Sequence, residues 1–140
     1  MDAMEDLRQL INRELYLGLF SYEAHFAVYE ANGFYARHFD AFRGARNRIV
    51  STVFYLNDDW HEGAGGELAI WNETATDLEP PLAIIPPEAG TLVVFLSEQI
   101  PHEVRMTTQD RYSIAGWFRL NDRMIAPGLQ VVPDITNPLD

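Results

Sequence analysis

The chain has 140 residues, 47% of them hydrophobic and 22% charged, which fits one globular domain and leaves too little chain for two good cores. With no cysteine, disulfides, thiolate metal ligands and a cysteine nucleophile are excluded, so a transition metal would need Asp, Glu or the four His. The net charge is −11 and all ten basic residues are arginine; the single basic cluster, Arg37, Arg43, Arg46 and Arg48, is interrupted by Asp40 and apolar residues, so nucleic acid is not an expected partner.

The N-terminus, Met1-Asp2-Ala3-Met4-Glu5-Asp6, is acidic and has neither the basic start nor the apolar stretch of a secretory signal. No apolar run approaches the ~18 residues needed to span a bilayer. A cytoplasmic protein with no membrane contact is the expectation. Apolar residues at 4, 7, 10, 11 and 15 predict an amphipathic helix over 4–16. Short strands are predicted beyond it, at 21–30, 34–40, 48–56, 66–71, 82–85, 91–96, 102–106 and 111–119. Asn32-Gly33, Gly63-Ala64-Gly65-Gly66, Pro86-Pro87 and Ala89-Gly90 punctuate them. Many strands after one helix predict a mainly β sandwich or jelly roll in a single domain over 1–140, with its core at 20–120. The stretch 121–140, with Pro127-Gly128, Pro133 and Pro138, reads either as an irregular extension wrapping the surface or meeting a partner, or as disordered chain.

His38-Phe39-Asp40 carries the first chemistry. In a strand, residues two apart share a face, so His38 and Asp40 would project together while Phe39 enters the opposite layer. Two histidines and one carboxylate on one side of an iron(II) ion leave its other positions open, and His102 is the natural third ligand. A histidine–aspartate pair on the surface is the plainer alternative. In 111–119, alternation sets Arg111, Ser113, Ala115 and Trp117 on one face. A cation followed by small residues is odd for a core and suits a pocket in which Arg111 grips a carboxylate through two parallel hydrogen bonds. An ion pair between Arg111 and Asp110 or a neighbouring strand is the structural alternative. Tyr55 could share the same carboxylate or simply pack in the core.

In this order and spacing the segments resemble the prolyl-4-hydroxylase-like branch of the iron(II)/2-oxoglutarate dioxygenases. The residues that carry the resemblance are Gly33 to Asp40, Arg48 onward through Tyr55-Leu56-Asn57-Asp58-Asp59-Trp60, Gly65-Gly66-Glu67-Leu68, Pro101-His102-Glu103-Val104 and Arg111 to Phe118. The resemblance implies a double-stranded β-helix. It also implies iron held by His38, Asp40 and His102, and 2-oxoglutarate as cosubstrate with its far carboxylate on Arg111 and Tyr55. Tyr29 falls one residue off the usual place of a pocket tyrosine, Ser113 leaves room for the cosubstrate, and Trp117 falls where such enzymes put a tryptophan near the metal. O2 as oxidant and ascorbate as reductant follow from the same likeness. The product expected is a hydroxylated prolyl or other side chain of a protein or peptide, with succinate and CO2.

His25 shares a strand face with Tyr29, and is expected either at the substrate entrance or as a partly buried imidazole satisfied by a backbone carbonyl. His61, in a turn-rich loop, is expected in solvent. Members of this branch usually carry more helix ahead of the barrel to cover its larger sheet. Here residues 1–20 supply one helix, which implies a shortened form or a homodimer that covers the sheet. Two rival readings stand beside this one: a related oxygenase acting on a small molecule, and a non-catalytic, cupin-like jelly roll that binds a metal.

Overall fold

The computed structural model of the chain describes residues 2–40 and 47–121. The first element is α1 (Asp2–Leu15), starting two residues before the predicted helix and ending one residue sooner. Its inward stripe is Met4, Leu7 and Ile11, partly buried where it packs on Leu19, Val50 and Phe118; Leu10 and Leu15 lie outside that stripe and are exposed. Tyr16 stops the helix by turning to φ 53° while its N–H still reaches the Asn12 carbonyl at 2.9 Å. The Asn12 side chain then fixes the exit, accepting from Leu19 N–H at 2.7 Å and donating to Leu19 O at 2.8 Å.

Among the described residues eight strands follow: β1 (Ser21–Tyr29), β2 (Tyr35–His38), β3 (Arg48–Tyr55), β4 (Leu68–Ile70), β5 (Ala83–Ile85), β6 (Leu92–Leu96), β7 (His102–Val104) and β8 (Arg111–Arg119). They form two antiparallel four-stranded sheets, ordered β1-β8-β3-β6 and β2-β7-β4-β5. Apart from the β4–β5 hairpin, consecutive strands alternate between the two sheets, which is the winding of a double-stranded β-helix, or jelly roll. Between the sheets lies a core of Tyr55, Leu68, Val93, Phe95 and Val104.

The predicted strand 34–40 is corrected by the structure. β2 stops at His38, its register with β7 is irregular between Tyr35 and His38, and Asp40 lies past its end. The Asp40 N–H pairs with Ser97 O at 3.1 Å, a partner outside the strand's own sheet, so the chain leaves the ladder. Phe39 does not enter an opposite layer: it is partly exposed and borders the cavity described below. The stretch 121–140, apart from Asn121, and Arg43 and Arg46 of the basic cluster lie outside the described residues.

The outer face of the first sheet is covered unevenly. α1 shields only the end around Phe118 and Val50. There Tyr22 crosses Gly116 to share a 2.6 Å hydrogen bond with Thr52, and a Cβ on Gly116 would lie 2.2 Å from the Tyr22 hydroxyl. Farther along, Phe26 is 78% exposed, and Val28, Val94 and Tyr112 are exposed beside it. Among the described residues no helix is long and apolar enough to cross a membrane.

Candidate metal centre and anion pocket

A cavity of about 510 Å³ is bordered by residues of both sheets, the edge strands β1 and β2 among them. At one end stand His38, Asp40 and His102, whose donor atoms all lie within 4.8 Å of one another. β2 and β7 pair so that His38 is opposite His102. The turn after β2 brings Asp40 between them, with Oδ1 2.9 Å from His102 Nε2 and 3.4 Å from His38 Nε2.

Each imidazole is held by its other nitrogen. His38 Nδ1 lies 2.7 Å from Ala36 O and His102 Nδ1 lies 3.0 Å from Ile100 O. A carbonyl can only accept, so both Nδ1 atoms are the donors there, and both Nε2 atoms are turned to Asp40. This is how metal-binding histidines are oriented, and ligand bonds of about 2.1 Å at right angles would set neighbouring donors about 3 Å apart. The set therefore fits a divalent ion that takes two histidines and one carboxylate on one side.

The Asp40 carboxylate has further holders. Its Oδ2 accepts from Trp117 Nε1 at 3.2 Å, and the Ser51 hydroxyl also hydrogen-bonds it. Burial works to raise the Asp40 carboxyl, but the hydrogen bonds from His102 and His38, with that of Ser51, outweigh it and hold the group well below the usual carboxylate range. Aromatic rings wall the imidazoles: Tyr35 lies 3.8 Å from His38, and Phe95 lies 4.6 Å from His102.

The far end is built on β8 and β3. Arg111 is only 3% exposed, yet no carboxylate among the described residues pairs with it. Its Nε donates to Gly66 O at 2.7 Å and its Nη2 to the Tyr55 hydroxyl at 3.1 Å. Asp110, the alternative partner, instead accepts from Ala31 N–H and the Tyr112 hydroxyl. The Gly65-Gly66 turn permits the first contact: Gly66 has φ 77°, and a Cβ there would sit 3.1 Å from Arg111 Cδ. Tyr55 is fully buried behind Arg111 and does not itself border the cavity. Having accepted from Arg111, its own O–H finds no acceptor among the described residues. The buried Ser113 hydroxyl, which borders the cavity, has no partner there either. Burial pushes the phenols of Tyr55 and Tyr29 up from their ordinary value despite the Arg111 charge, so both stay protonated at neutral pH. A buried guanidinium left without a counter-charge is costly, and an anion entering the cavity would relieve it.

The structure brings His38, Asp40, His102, Tyr29, Arg111, Ser113 and Trp117 to one cavity. His25 also borders it, 5.3 Å from Trp117, but is exposed, and its imidazole meets no backbone carbonyl among the described residues, which corrects the expectation of a partly buried, carbonyl-satisfied imidazole. His61 is exposed, as expected. Sequence reasoning missed Ser51, Ser97 and Arg48. Strand parity with Tyr55 could have turned Ser51 inward, but nothing local pointed to Asp40 as its partner.

A model of the 2OG-Fe(II) oxygenase superfamily matches residues 24–119. The chain belongs to that superfamily. It is 35% identical to human Egl nine homolog 1 over 125 residues, covering 84% of this chain and 28% of that protein. It is similar to a solved Pseudomonas putida prolyl-4-hydroxylase, with 44% identity and a TM-score of 0.76, over 85% of this chain and 64% of that one. A prolyl hydroxylase from Trichoplax adhaerens, solved with a hypoxia inducible factor oxygen degradation domain peptide, matches at 25% identity and a TM-score of 0.75, over 92% of this chain and 58% of that one. The 2OG-Fe(II) oxygenase chain described here thus spans little more than a quarter of the human relative's length and under two thirds of each of these two solved chains.

Proposed function

We propose that this chain is an iron(II)- and 2-oxoglutarate-dependent dioxygenase that hydroxylates a prolyl or other side chain of a protein or peptide. One observation carries the reading: a single cavity has a two-histidine, one-carboxylate cluster at one end and, at the other, a buried arginine that pairs with no carboxylate among the described residues. A dicarboxylic cosubstrate is the class of molecule that answers both ends.

In this reading His38, Asp40 and His102 hold iron(II) through Nε2, Oδ1 and Nε2. Arg111 takes the far carboxylate of 2-oxoglutarate with its remaining guanidinium protons, Tyr55 supplies a hydroxyl donor behind it, and Ser113 a second from the wall. Tyr29 places its ring 5.2 Å from the Arg111 guanidinium carbon and closes the side. Iron(II), when bound, supplies the activation of O2 that couples decarboxylation of 2-oxoglutarate to succinate with hydroxylation of the target. The protein's share is orientation and exclusion of water: Ser51 and Trp117 fix Asp40, the small side chains of Ser113 and Ala115 leave room for the cosubstrate, and His25 and Phe39 flank the opening where a target would enter. Ascorbate as reductant and a cytoplasmic setting belong to the same reading.

A peptide target is supported by the prolyl hydroxylases to which the chain is similar, one of them solved with a peptide. A cupin-like binding module would account for the strands and the histidines but not for a buried Arg111 that no carboxylate among the described residues neutralises. Incubation with iron(II), ascorbate, 2-oxoglutarate and a panel of proline-containing peptides should yield succinate and a peptide heavier by one oxygen. Binding of iron(II) without any effect of 2-oxoglutarate would favour the module.

A further inference from the structure

Two charged groups beside the Trp117 indole have no part in the chemistry above: Arg48, stacked on its ring, and Glu23, which pairs with Arg48. Resting on the metal site proposed above, we infer that Trp117, clamped by Arg48 and Glu23, is the positioning residue that turns Asp40 so that only one of its oxygens faces the metal.

Asp40 needs such a device. It lies past the end of β2, and its backbone is tied by the hydrogen bond to Ser97 O rather than by a strand ladder. A carboxylate free to rotate can bind a cation through one oxygen or both. Two-oxygen binding would occupy a position that a facial site keeps open. In the structure Oδ1 is the atom near both imidazoles, while Oδ2 is turned to the Trp117 indole at 3.2 Å. An indole N–H only donates and does not titrate, so it holds one carboxylate oxygen at any working pH.

The indole is itself held. The Arg48 guanidinium carbon lies 4.1 Å from the centre of its ring. Arg48 Nε donates to Glu23 Oε1 at 2.8 Å, and Glu23 Oε2 lies 3.4 Å from Arg119 Nη1. Glu23, Trp117 and Ser51 share one rung across β1, β8 and β3. Two of the three, Trp117 and Ser51, hydrogen-bond Asp40, and the third anchors the arginine over the indole. Ser51 Oγ is in turn 2.7 Å from Ser97 Oγ, so the same residue that ties the Asp40 backbone also steadies a holder of its side chain. One sheet thus grips a carboxylate delivered from the loose end of the other.

The test uses the whole chain and manganese(II) alone, with Asp40→Ala, Trp117→Phe and Glu23→Gln beside the wild type. Affinity is read by titration, and the waters left on the bound ion by proton relaxation. Trp117→Phe keeps an aromatic ring in the wall and loses the pyrrole ring with its N–H. It should weaken manganese(II) about 10–100-fold, the usual loss when a ligand's outer partner is removed. The relaxation effect per bound ion should fall by about a third, as two-oxygen binding displaces one of three waters from an octahedral ion. Glu23→Gln should shift both readings in the same direction and by less. Wild-type values for Trp117→Phe in both would overturn the inference and leave the indole as wall packing. A wild type that binds no better than Asp40→Ala would sink the metal site itself and the inference with it. Should circular dichroism show Trp117→Phe unfolded, Glu23→Gln decides, and wild-type values for it overturn the clamp.

Discussion

The two ends of the cavity are built on opposite plans. At the metal end every ligand is already engaged: both imidazoles hold a backbone carbonyl and Asp40 is held by Trp117 and Ser51. At the anion end Tyr55, Ser113 and Arg111 keep donors that no described residue accepts. The first end draws its ligands from the ends of the short strands β2 and β7 and from a turn, so it needs cross-braces to fix them. The second sits on the nine residues of β8 and the eight of β3, which are rigid enough to keep a buried charge waiting. The difference suggests a division of labour: geometry is completed in advance where a metal must be caught, and hydrogen bonding is left incomplete where a cosubstrate must come and go.

Substitutions at the two ends should separate them. Asp40→Ala has the largest expected effect, loss of iron(II) or manganese(II) affinity by well over about 100-fold, because the anionic ligand is gone. Its fold should survive, and a titration showing unchanged affinity would break the assignment of that end. Arg111→Ala should leave metal affinity in place but raise the 2-oxoglutarate requirement about 100-fold, within the range for one lost partner of a buried charge pair. A variant that saturates at the wild-type concentration would deny the anion end its role. Gly66→Ala sharpens the same point without touching the charge. A side chain at φ 77° costs about 1–2 kcal/mol, and the Cβ crowds Arg111, so a lower Tm should come with several-fold weaker 2-oxoglutarate binding by calorimetry. Tyr55→Phe removes one donor and should weaken 2-oxoglutarate about 3–10-fold, the worth of a single hydrogen bond.

The smallest expected effect is on pH. The phenols of Tyr55 and Tyr29 are raised in the folded protein above the ordinary value of 10.0. Above pH 10 the unfolded chain has lost these protons while the folded one keeps them, so ν is larger in the native state and stability falls as pH rises. The contribution is fully present below pH 10 and lost through the raised values. Denaturant midpoints should decline over that alkaline range, and less steeply in Tyr55→Phe; identical slopes would remove Tyr55 from the account.

The anion end was the more legible one. The run from Arg111 to Trp117 declares a pocket face because alternation is a local property, and the structure places those four side chains on the cavity. The metal end was legible in its residues but not in its backbone. His38 and Asp40 converge although β2 ends at His38, because the chain turns to meet Ser97, and no periodicity within 34–40 reveals so distant a partner. Ser51 and Glu23 escaped notice, and Arg48 was seen only as part of a basic cluster and a family segment, for the same reason: their roles depend on a rung of Glu23, Trp117 and Ser51 across three strands, which only register discloses. The alternate face of β8 misled in the other direction. Tyr112, Ile114 and Phe118 read alike in sequence, yet α1 covers Phe118 completely and leaves Tyr112 exposed.

The central claim is that one cavity seats a metal and a dicarboxylate together. The direct measurement is the visible spectrum of the protein under nitrogen as 2-oxoglutarate is added to its iron(II) form. A weak charge-transfer band that saturates with 2-oxoglutarate, disappears in Asp40→Ala and needs far more 2-oxoglutarate in Arg111→Ala is the predicted result. No band at saturating cosubstrate, or a band that persists undiminished in Asp40→Ala, would contradict it.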